Sequence, residues 1–582
     1  MKDSQLKMAL KPYLERISVF CGNLSKRELT DILLSLAKEQ SVSQRVSFLS
    51  KVESCLPGRM SNKPQNKGSL DEILNDIEAL KESMEERIEA IEEGSYWDDA
   101  DQWDYDYPDH EPDYVSEVQL DELSTLFLEA ENLFLEDRLD QTGKVYGALF
   151  RLTREIEERA YISFPDQIDI REARARYCRC IYETSTKDRV LDDFLLAIDV
   201  DACVEGIEDL SDEDYPTMQD IIDAKVGEMR NLDTFLPEWE KELAERSKSD
   251  RAVELRLEAV FQLAGFGGVA KLSREWKTLQ PRGYIFWLRR LKEKHDWNTV
   301  MEVALEALAS LKEGEFRECA ARFLIEAAEV ANDPVNILKG KREKFFSYPS
   351  AQNLLQLLEE SIKQNTRERE LDTVLAFLQT RKKTDSPEND LFIKVLLMKG
   401  NLAPAVALVS KDKSIGWSNS NTGIVFGSII SVLTKHAKEA VTVKNLLEGY
   451  TNQESDYSMR FLIKNNSKKT ITFYDEIVKG LEQIHFSQEE ITKYFSWAQK
   501  IGERRINHIV SNKHRSAYER AAQVLGALAE AYVAMNAQDN AIKILNRYYN
   551  EKFNRFTAFR KEIKKVVKNS CLLSGVPHLV PE

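Results

Sequence analysis

Apolar residues recur at spacings of three and four along most of this 582-residue chain, which is the period of an amphipathic helix. Runs of β-branched residues of strand length are nearly absent, and 23 Gly and 15 Pro are few for a chain of this length. Hydrophobic residues make up 42% of the sequence, which is enough to build packed cores. The pattern therefore predicts an all-α protein made of long, uninterrupted helices.

After residue 116 the apolar pattern is organised as helix-turn-helix pairs. Turns are predicted at residues 137–143, 295–297 and 400–401. The last clear pair places small residues where its helices approach each other, namely Ala521, Ala522, Ala527, Ala531 and Ala541. Such pairs resemble tetratricopeptide-like repeats. Because one pair alone buries only one face, we expect neighbouring pairs to stack into an α-solenoid whose concave surface holds a protein segment.

The pattern also divides the chain into segments. A helix is predicted after Ser69, because Ser69 and Glu72 have the spacing of a capping box. Its apolar seam consists of Ile73, Leu74, Ile77, Leu80, Met84, Ile88 and Ile91. The predicted segments are a small N-terminal helical region (1–56), a linker (57–68), the capped amphipathic helix (69–94), an acidic-aromatic linker (95–115), a helical repeat array (116–385) and C-terminal helical repeats with a basic end (386–582).

The acidic-aromatic linker contains the run YWDDADQWDYDYPDHEPDY at residues 96–114, without a single Lys or Arg. Closely spaced carboxylates repel one another, and the aromatic residues have no apolar partners at helical or strand spacing, so this run cannot build a core. We expect a docking segment that contacts either a basic partner or the chain's own basic end. Its candidate docking residues are Trp97, Trp103, Tyr105, Tyr107 and Tyr114.

Charge is distributed unevenly along the chain. The net charge of -17 weighs against a protein that coats nucleic acid along its whole length. Residues 500–568, however, contain fifteen Lys and Arg against six Asp and Glu. The interleaved Tyr and Phe residues fit either a surface that stacks bases or a buried helix face with a solvated basic side. The candidate residues for an anionic partner are Arg504, Arg505, Arg515, Arg555, Arg560, Lys564 and Lys565.

Cysteine usage and hydropathy predict a cytoplasmic protein that does not enter membranes. The seven Cys are scattered and odd in number, and the N-terminal residues lack the apolar core of a signal peptide. No window approaches the roughly 18 consecutive apolar residues that span a bilayer. Cys178 and Cys180 are the only close cysteine pair, and without further ligands nearby they favour a buried helix face over a metal site.

No motif of a nucleophilic hydrolase, a phosphate-binding loop or a metalloprotease occurs in the chain. Carboxylates are so abundant that any pair chosen as acid and base would be arbitrary. We therefore expect no catalysis, no cofactor and no bound metal. A protein partner is the first expectation for this chain, and nucleic acid is the alternative, bound by the basic C-terminal helices.

Residues 69–136, followed by DIREARARYCRCIYET and YERAAQVLGALAEAYVAM, resemble the helical region that accompanies SWIM zinc fingers in bacterial and archaeal proteins. Those fingers require Cys-x-Cys followed by Cys-x-His. No Cys-x-His follows Cys178 and Cys180, so the resemblance implies the helical part without its zinc finger.

Stand-alone helical proteins of this kind in prokaryotes include partners and substrates in antiviral defence systems. We therefore expect a role in prokaryotic antiviral defence, and one such role is a regulatory substrate that a protease cleaves in a type III-E CRISPR system. A cleaved substrate needs an exposed site, and hairpin tips are where nicking is easiest. Met398 and Lys399, directly before the turn at residues 400–401, are the candidate exposed cleavage hairpin. An ordinary turn between two helices is the competing interpretation.

Overall fold

The structure is a computed structural model. It describes residues 8–38, 48–49, 52, 69–93, 113–160, 162, 164, 168–202, 207, 214–246, 248–381, 387–410, 421–435, 440–452 and 471–574. These residues form 26 α-helices and no strand, and most helices pack against their neighbours in sequence order. The predicted all-α, solenoid-like fold is confirmed. The chain divides into two compact units, residues 1–289 and 290–582, and the other predicted segment boundaries stay predictions.

Unit 1 contains the first helices of the chain. They are α1 (Leu10–Gly22), α2 (Lys26–Lys38), α3 (Leu70–Glu92), α4 (Glu117–Leu135), α5 (Leu139–Glu157), α6 (Ile170–Thr184), α7 (Val190–Ala197), α8 (Met218–Asp223), α9 (Leu232–Glu245), α10 (Asp250–Trp276) and α11 (Arg282–Glu293), within which the division between the units falls.

The capped helix α3 begins as its sequence predicts. Ser69 Oγ accepts a hydrogen bond from the Glu72 amide at 3.3 Å, and the Glu72 carboxylate accepts one from the Ser69 amide, which completes the capping box. Its seam is buried at Ile73, Ile77, Leu80, Met84 and Ile88. These residues form one core with α4 and α5. Burial of the seam, rather than helix propensity alone, therefore fixes α3 in place.

A second core of unit 1 joins α6 to α10, and a buried arginine ties its chain together. Arg251, in the first turn of α10, is 5% exposed. Its guanidinium donates to the carbonyl oxygens of Ile198, Asp199 and Pro216 at 2.9–3.2 Å, and its Cζ lies 4.8 Å from the centre of the Tyr215 ring. Arg251 thus links the end of α7 to the residues that precede α8.

Unit 2 contains the remaining helices. They are α12 (Trp297–Ser310), α13 (Glu315–Val330), α14 (Pro334–Ser347), α15 (Ala351–Lys363), α16 (Arg367–Thr380), α17 (Pro387–Met398), α18 (Leu402–Val409), α19 (Asn421–Thr434), α20 (Val441–Asn452), α21 (Phe473–Glu482), α22 (Gln488–Ser511), α23 (Tyr518–Ala534), α24 (Gln538–Asn546), α25 (Thr557–Asn569) and α26 (Cys571–Ser574). One π-helical turn, Arg547–Lys552, follows α24.

The helix pairs share one type of turn. At Gly400, for example, φ is +71°, the Gly400 amide donates to Leu397 and the Asn401 amide donates to Leu396, which is the Schellman arrangement. Other helices end in the same way, with a positive φ and the same pair of hydrogen bonds, at Asp137, Asp199, His295, Asn332, Asn365, Lys513 and Asn536. The predicted turn at residues 295–297 is confirmed. The first predicted turn is too long, because α5 already begins at Leu139.

Small residues let the last helices of unit 2 approach closely. Ala521, Ala522, Ala527, Ala531 and Ala541 are at most 1% exposed, as their spacing predicts. A Cβ atom added to Gly526 would collide with the side chain of Val566 on α25. On α23, the buried Glu530 carboxylate accepts hydrogen bonds from the amides of Thr442 and Val443 and from Ser570 Oγ. Glu530 therefore fixes the beginning of α20 and the end of α25 to α23.

Candidate binding surfaces

Helix α25 separates an apolar face from a basic one. Phe559, Ile563 and Val566 are buried against the core of unit 2. Lys561, Lys564, Lys565 and Lys568 are exposed on the other side of the helix. At 100° per residue, Lys561, Lys564 and Lys568 lie within about 60° of the helix circumference, so they form one stripe.

Two of the predicted anionic-partner residues already have partners within unit 2. The Arg560 guanidinium lies 4.2 Å from the centre of the Tyr549 ring, and it also donates to the Asn554 carbonyl at 3.4 Å. Lys565 lies 3.5 Å from Glu519 and 3.6 Å from Glu562, and these carboxylates raise the pKa of Lys565. Arg560 and Lys565 therefore help to hold α25 against its neighbours, in addition to carrying positive charge.

The predicted residues on α22 have different environments. Arg504 is exposed, whereas Arg505 is half-buried. Burial lowers the pKa of Arg505, and the like charge of Arg520 lowers it further. Arg505 also lies close enough to Tyr450 for each group to affect the ionisation of the other. This places Arg505 at the edge of the core rather than on the open surface.

Several cations near the end of unit 2 have no ion-pair partner among the residues that the structure describes. Five of the exposed ones are Arg515, Arg555, Lys561, Lys564 and Lys568, and we call these five the basic surface. The Lys565–Glu519 ion pair and the contact between the Tyr518 and Phe559 rings, 5.7 Å apart, hold the beginning of α23 beside α25. The cations of both elements therefore occupy neighbouring parts of the molecule.

Many cations earlier in unit 2 are compensated by carboxylates. Lys341 lies 3.2 Å from Glu360, and the Arg342 guanidinium contacts the buried Glu370 at 2.5 Å. Further ion pairs join Lys292 to Glu326, Arg317 to Glu343, Arg381 to Glu313, and Lys399 to Glu368 and Asp372. These cations differ from those of the basic surface, which have no such carboxylate partners among the described residues.

The aromatic residues interleaved with these cations belong to the core. Tyr518, Tyr548, Tyr549, Phe553 and Phe559 are at most 4% exposed, and Phe556 is half-buried. The sequence leaves open whether these rings stack bases or fill a helix face, and the structure confirms the helix face. Rings buried in this way offer no platform for nucleic-acid bases.

The acidic-aromatic linker lies mostly outside the described residues, and this includes Trp97, Trp103, Tyr105 and Tyr107. Its last candidate, Tyr114, is 36% exposed. The preceding Asp113 carbonyl accepts hydrogen bonds from the Arg87 guanidinium on α3 at 2.9 and 3.2 Å. The end of the linker is thereby anchored to α3.

Helices α1 and α2 expose an apolar face that the sequence pattern does not predict. On α1, Tyr13, Ile17 and Phe20 are 43–54% exposed, and no residue of α1 is buried. On α2 the exposed apolar residues are Leu29, Ile32, Leu33, Leu34 and Leu36. The three-and-four spacing of Leu29, Ile32, Leu33 and Leu36 is the signal of an amphipathic helix, but spacing alone does not reveal whether a face is covered.

The candidate cleavage hairpin is less exposed than the sequence predicts. Met398 is 2% exposed, and Lys399 is half-buried with its ammonium 3.0 Å from Glu368 and 2.9 Å from Asp372. The reason is a glycine on α21: a Cβ atom at Gly480 would lie 2.5 Å from the Met398 carbonyl oxygen. The backbone of the turn lies directly on α21, so the expectation of an exposed hairpin is wrong.

Cys178 and Cys180 lie fully buried in α6, as expected of a buried helix face. Burial raises the pKa of the Cys178 thiol to about 12, and it also raises the pKa of Cys180. Thiols held protonated in this way are poor metal ligands. Among the described residues, no group of three or more His, Cys, Asp or Glu side chains is arranged to hold a metal ion. Within the same part of the chain, no helix is both long enough and apolar enough to cross a membrane.

Comparison with known proteins gives no family. No protein-family model matches the chain, and no curated protein matches it significantly. The resemblance to the helical region of SWIM zinc-finger proteins therefore stays a prediction.

Proposed function

We propose that this chain is a non-catalytic helical scaffold that binds a protein partner. The observation that carries the proposal is the exposed apolar face of α1 and α2. Helices of soluble proteins normally bury such a face, and large exposed apolar patches mark interaction sites. In this proposal α1 and α2 supply apolar anchors that are covered when the partner binds. The concave surface expected of stacked helix pairs stays a prediction.

A regulatory role fits the same proposal. The chain would act by binding to its partner and covering part of the partner's surface. Removal of the bound part of the chain would then release the partner. A protease-cleaved regulator in prokaryotic antiviral defence, including a type III-E CRISPR system, is the context in which we propose this role. The burial of Met398 adds a condition, since cleavage at this hairpin would first require its displacement from Gly480.

Charge substitutions on α1 and α2 are expected to abolish partner binding without unfolding the chain. We choose the double variant Ile17→Glu, Leu33→Glu, because both side chains lie on the exposed apolar faces. Burying a large apolar side chain is worth about 1.5–3 kcal/mol, so losing two anchors weakens binding at least about 100-fold. Candidate partners are first identified by co-expressing the chain with the proteins encoded by neighbouring genes. Isothermal titration calorimetry then measures the affinity of the parent chain and of the variant for an identified partner.

The matched control is Val118→Glu, Leu196→Glu in the same unit, at isolated apolar positions that are 75% and 80% exposed. This control adds the same two charges, and we expect it to retain binding. The thermal transition of both variants should equal that of the parent chain. Equal loss of binding in the two variants, or partner binding that survives Ile17→Glu, Leu33→Glu, would refute the role of α1 and α2.

A further inference from the structure

The basic surface of unit 2 carries positive charge that the described part of the protein does not compensate. We propose that it binds the phosphate backbone of double-stranded nucleic acid without reading base sequence. This surface is separate from the apolar faces of α1 and α2. The inference therefore stands or falls independently of the proposed protein-binding function.

Positive charge is concentrated near the end of unit 2. Residues 500–568 carry a net charge of about +9 in a chain whose total is -17, so the remainder carries about -26. The basic surface is positive because its cations lack carboxylate partners, whereas Lys341 and Arg342 in the same unit are paired. Unpaired and exposed Lys and Arg side chains release counterions when they meet phosphates, and this release drives non-specific binding to nucleic acid.

The basic surface lacks exposed apolar anchors. Protein interfaces are anchored by large apolar and aromatic side chains that a partner desolvates. Among the described residues from 442 to 574, no large apolar side chain is exposed. An interface with several exposed cations and no large apolar anchor suits a partner that is itself a regular array of anions. The surface is therefore better matched to a phosphate backbone than to a folded protein.

The burial of the aromatic rings favours double strands over single strands as the ligand. Proteins that bind single strands stack bases on exposed aromatic rings, and here Tyr518, Tyr548 and Phe559 are buried. Recognition is then left to phosphates, which suits duplexes whose bases are already paired. Lys561 and Lys568 are separated by about 10 Å along the helix axis. That length corresponds to about three nucleotides of one strand at 3.4 Å each.

The test is fluorescence anisotropy of short labelled DNA and RNA duplexes with the full-length chain between about 50 and 200 mM salt. Five phosphate contacts predict a slope of about -4.5 for the logarithm of affinity against that of salt, and a Kd of about 1–100 μM. The triple variant Lys561→Gln, Lys564→Gln, Lys568→Gln should reduce the slope to about -2 and weaken binding about 100-fold. Two duplexes of different sequence should bind equally.

The control removes three paired cations from the same unit, so that the loss of net charge is the same. Its substitutions are Lys292→Gln, Lys363→Gln and Arg381→Gln, and it should bind duplexes as the parent chain does. The proposal is overturned if no duplex binds at about 50 mM salt, or if both triple variants weaken binding equally. It is also overturned if a single strand, or an acidic peptide with the sequence of residues 96–114, binds more tightly than the duplex through the same three lysines.

Discussion

Replacing Arg251 with methionine is expected to destabilise unit 1 by about 3–5 kcal/mol. Methionine has a similar length but no donor, so the buried carbonyl oxygens of Ile198 and Pro216 would lose their hydrogen bonds to the guanidinium. The ring of Tyr215 would lose a cation 4.8 Å from its centre. The measurement is urea unfolding monitored by hydrogen exchange in peptides from α6 to α10. These peptides report the free energy of unfolding of unit 1 separately from that of unit 2.

The matched control for this prediction is Arg189→Met. Arg189 lies in the same unit and pairs with Asp193 at 3.2 Å, but its side chain is 74% exposed. An exposed pair of this kind contributes little, so we expect a change within about 0.5 kcal/mol. A loss of stability below about 1 kcal/mol in Arg251→Met would mean that water or a rearranged backbone replaces its donors, and that Arg251 does not hold α7 to the residues preceding α8.

The parts of this fold that the sequence predicts are those set by local chemistry. The start of α3 follows from Ser69 and Glu72, because a capping box involves residues three positions apart. The close packing of α23 follows from alanines at helical spacing, since small residues on one face permit short distances between helices. Both features depend on neighbours within one helix or one pair, and such relations can be read from the chain directly.

The parts that the sequence does not predict depend on distant residues. Arg251 is one of many charged residues in its helix, and its role comes from carbonyl groups more than thirty positions away. The burial of Met398 depends on Gly480, which lies on another helix. An exposed face and a covered face also have the same apolar spacing, so the pattern of α2 does not distinguish them.

The same limit applies to the candidate sites. Counting charges identifies the basic end, but it cannot separate Arg560, which lies on the Tyr549 ring, from Lys564, which is free to meet an anion. The structure narrows the anionic-partner candidates and adds Lys561 and Lys568 to them. It also leaves two surfaces of opposite chemistry, one apolar on α1 and α2 and one cationic on unit 2. Together, the two proposals would have one chain bind a protein and a nucleic acid.

Replacing Gly480 with alanine is expected to destabilise unit 2 by about 2–4 kcal/mol and to expose the hairpin at Lys399. The added Cβ would lie 2.5 Å from the Met398 carbonyl oxygen and closer still to that of Leu397. Both obstacles are backbone atoms, so the turn between α17 and α18 must move away from α21. Because proteolysis of a folded protein follows the population of its open form, trypsin should cleave after Lys399 at least about 10-fold faster.

The control is Gly449→Ala on α20, in the same unit, where an added Cβ meets no atom within 4 Å. Alanine has the higher helix propensity, so this variant should be as stable as the parent chain or up to about 1 kcal/mol more stable, with unchanged cleavage. Urea unfolding gives the free energies, and mass spectrometry of the tryptic fragments identifies the cut at Lys399. If Gly480→Ala unfolds at the parent's urea midpoint and is cut no faster, the turn does not depend on its contact with α21, and packing on Gly480 cannot be what protects the hairpin from proteases.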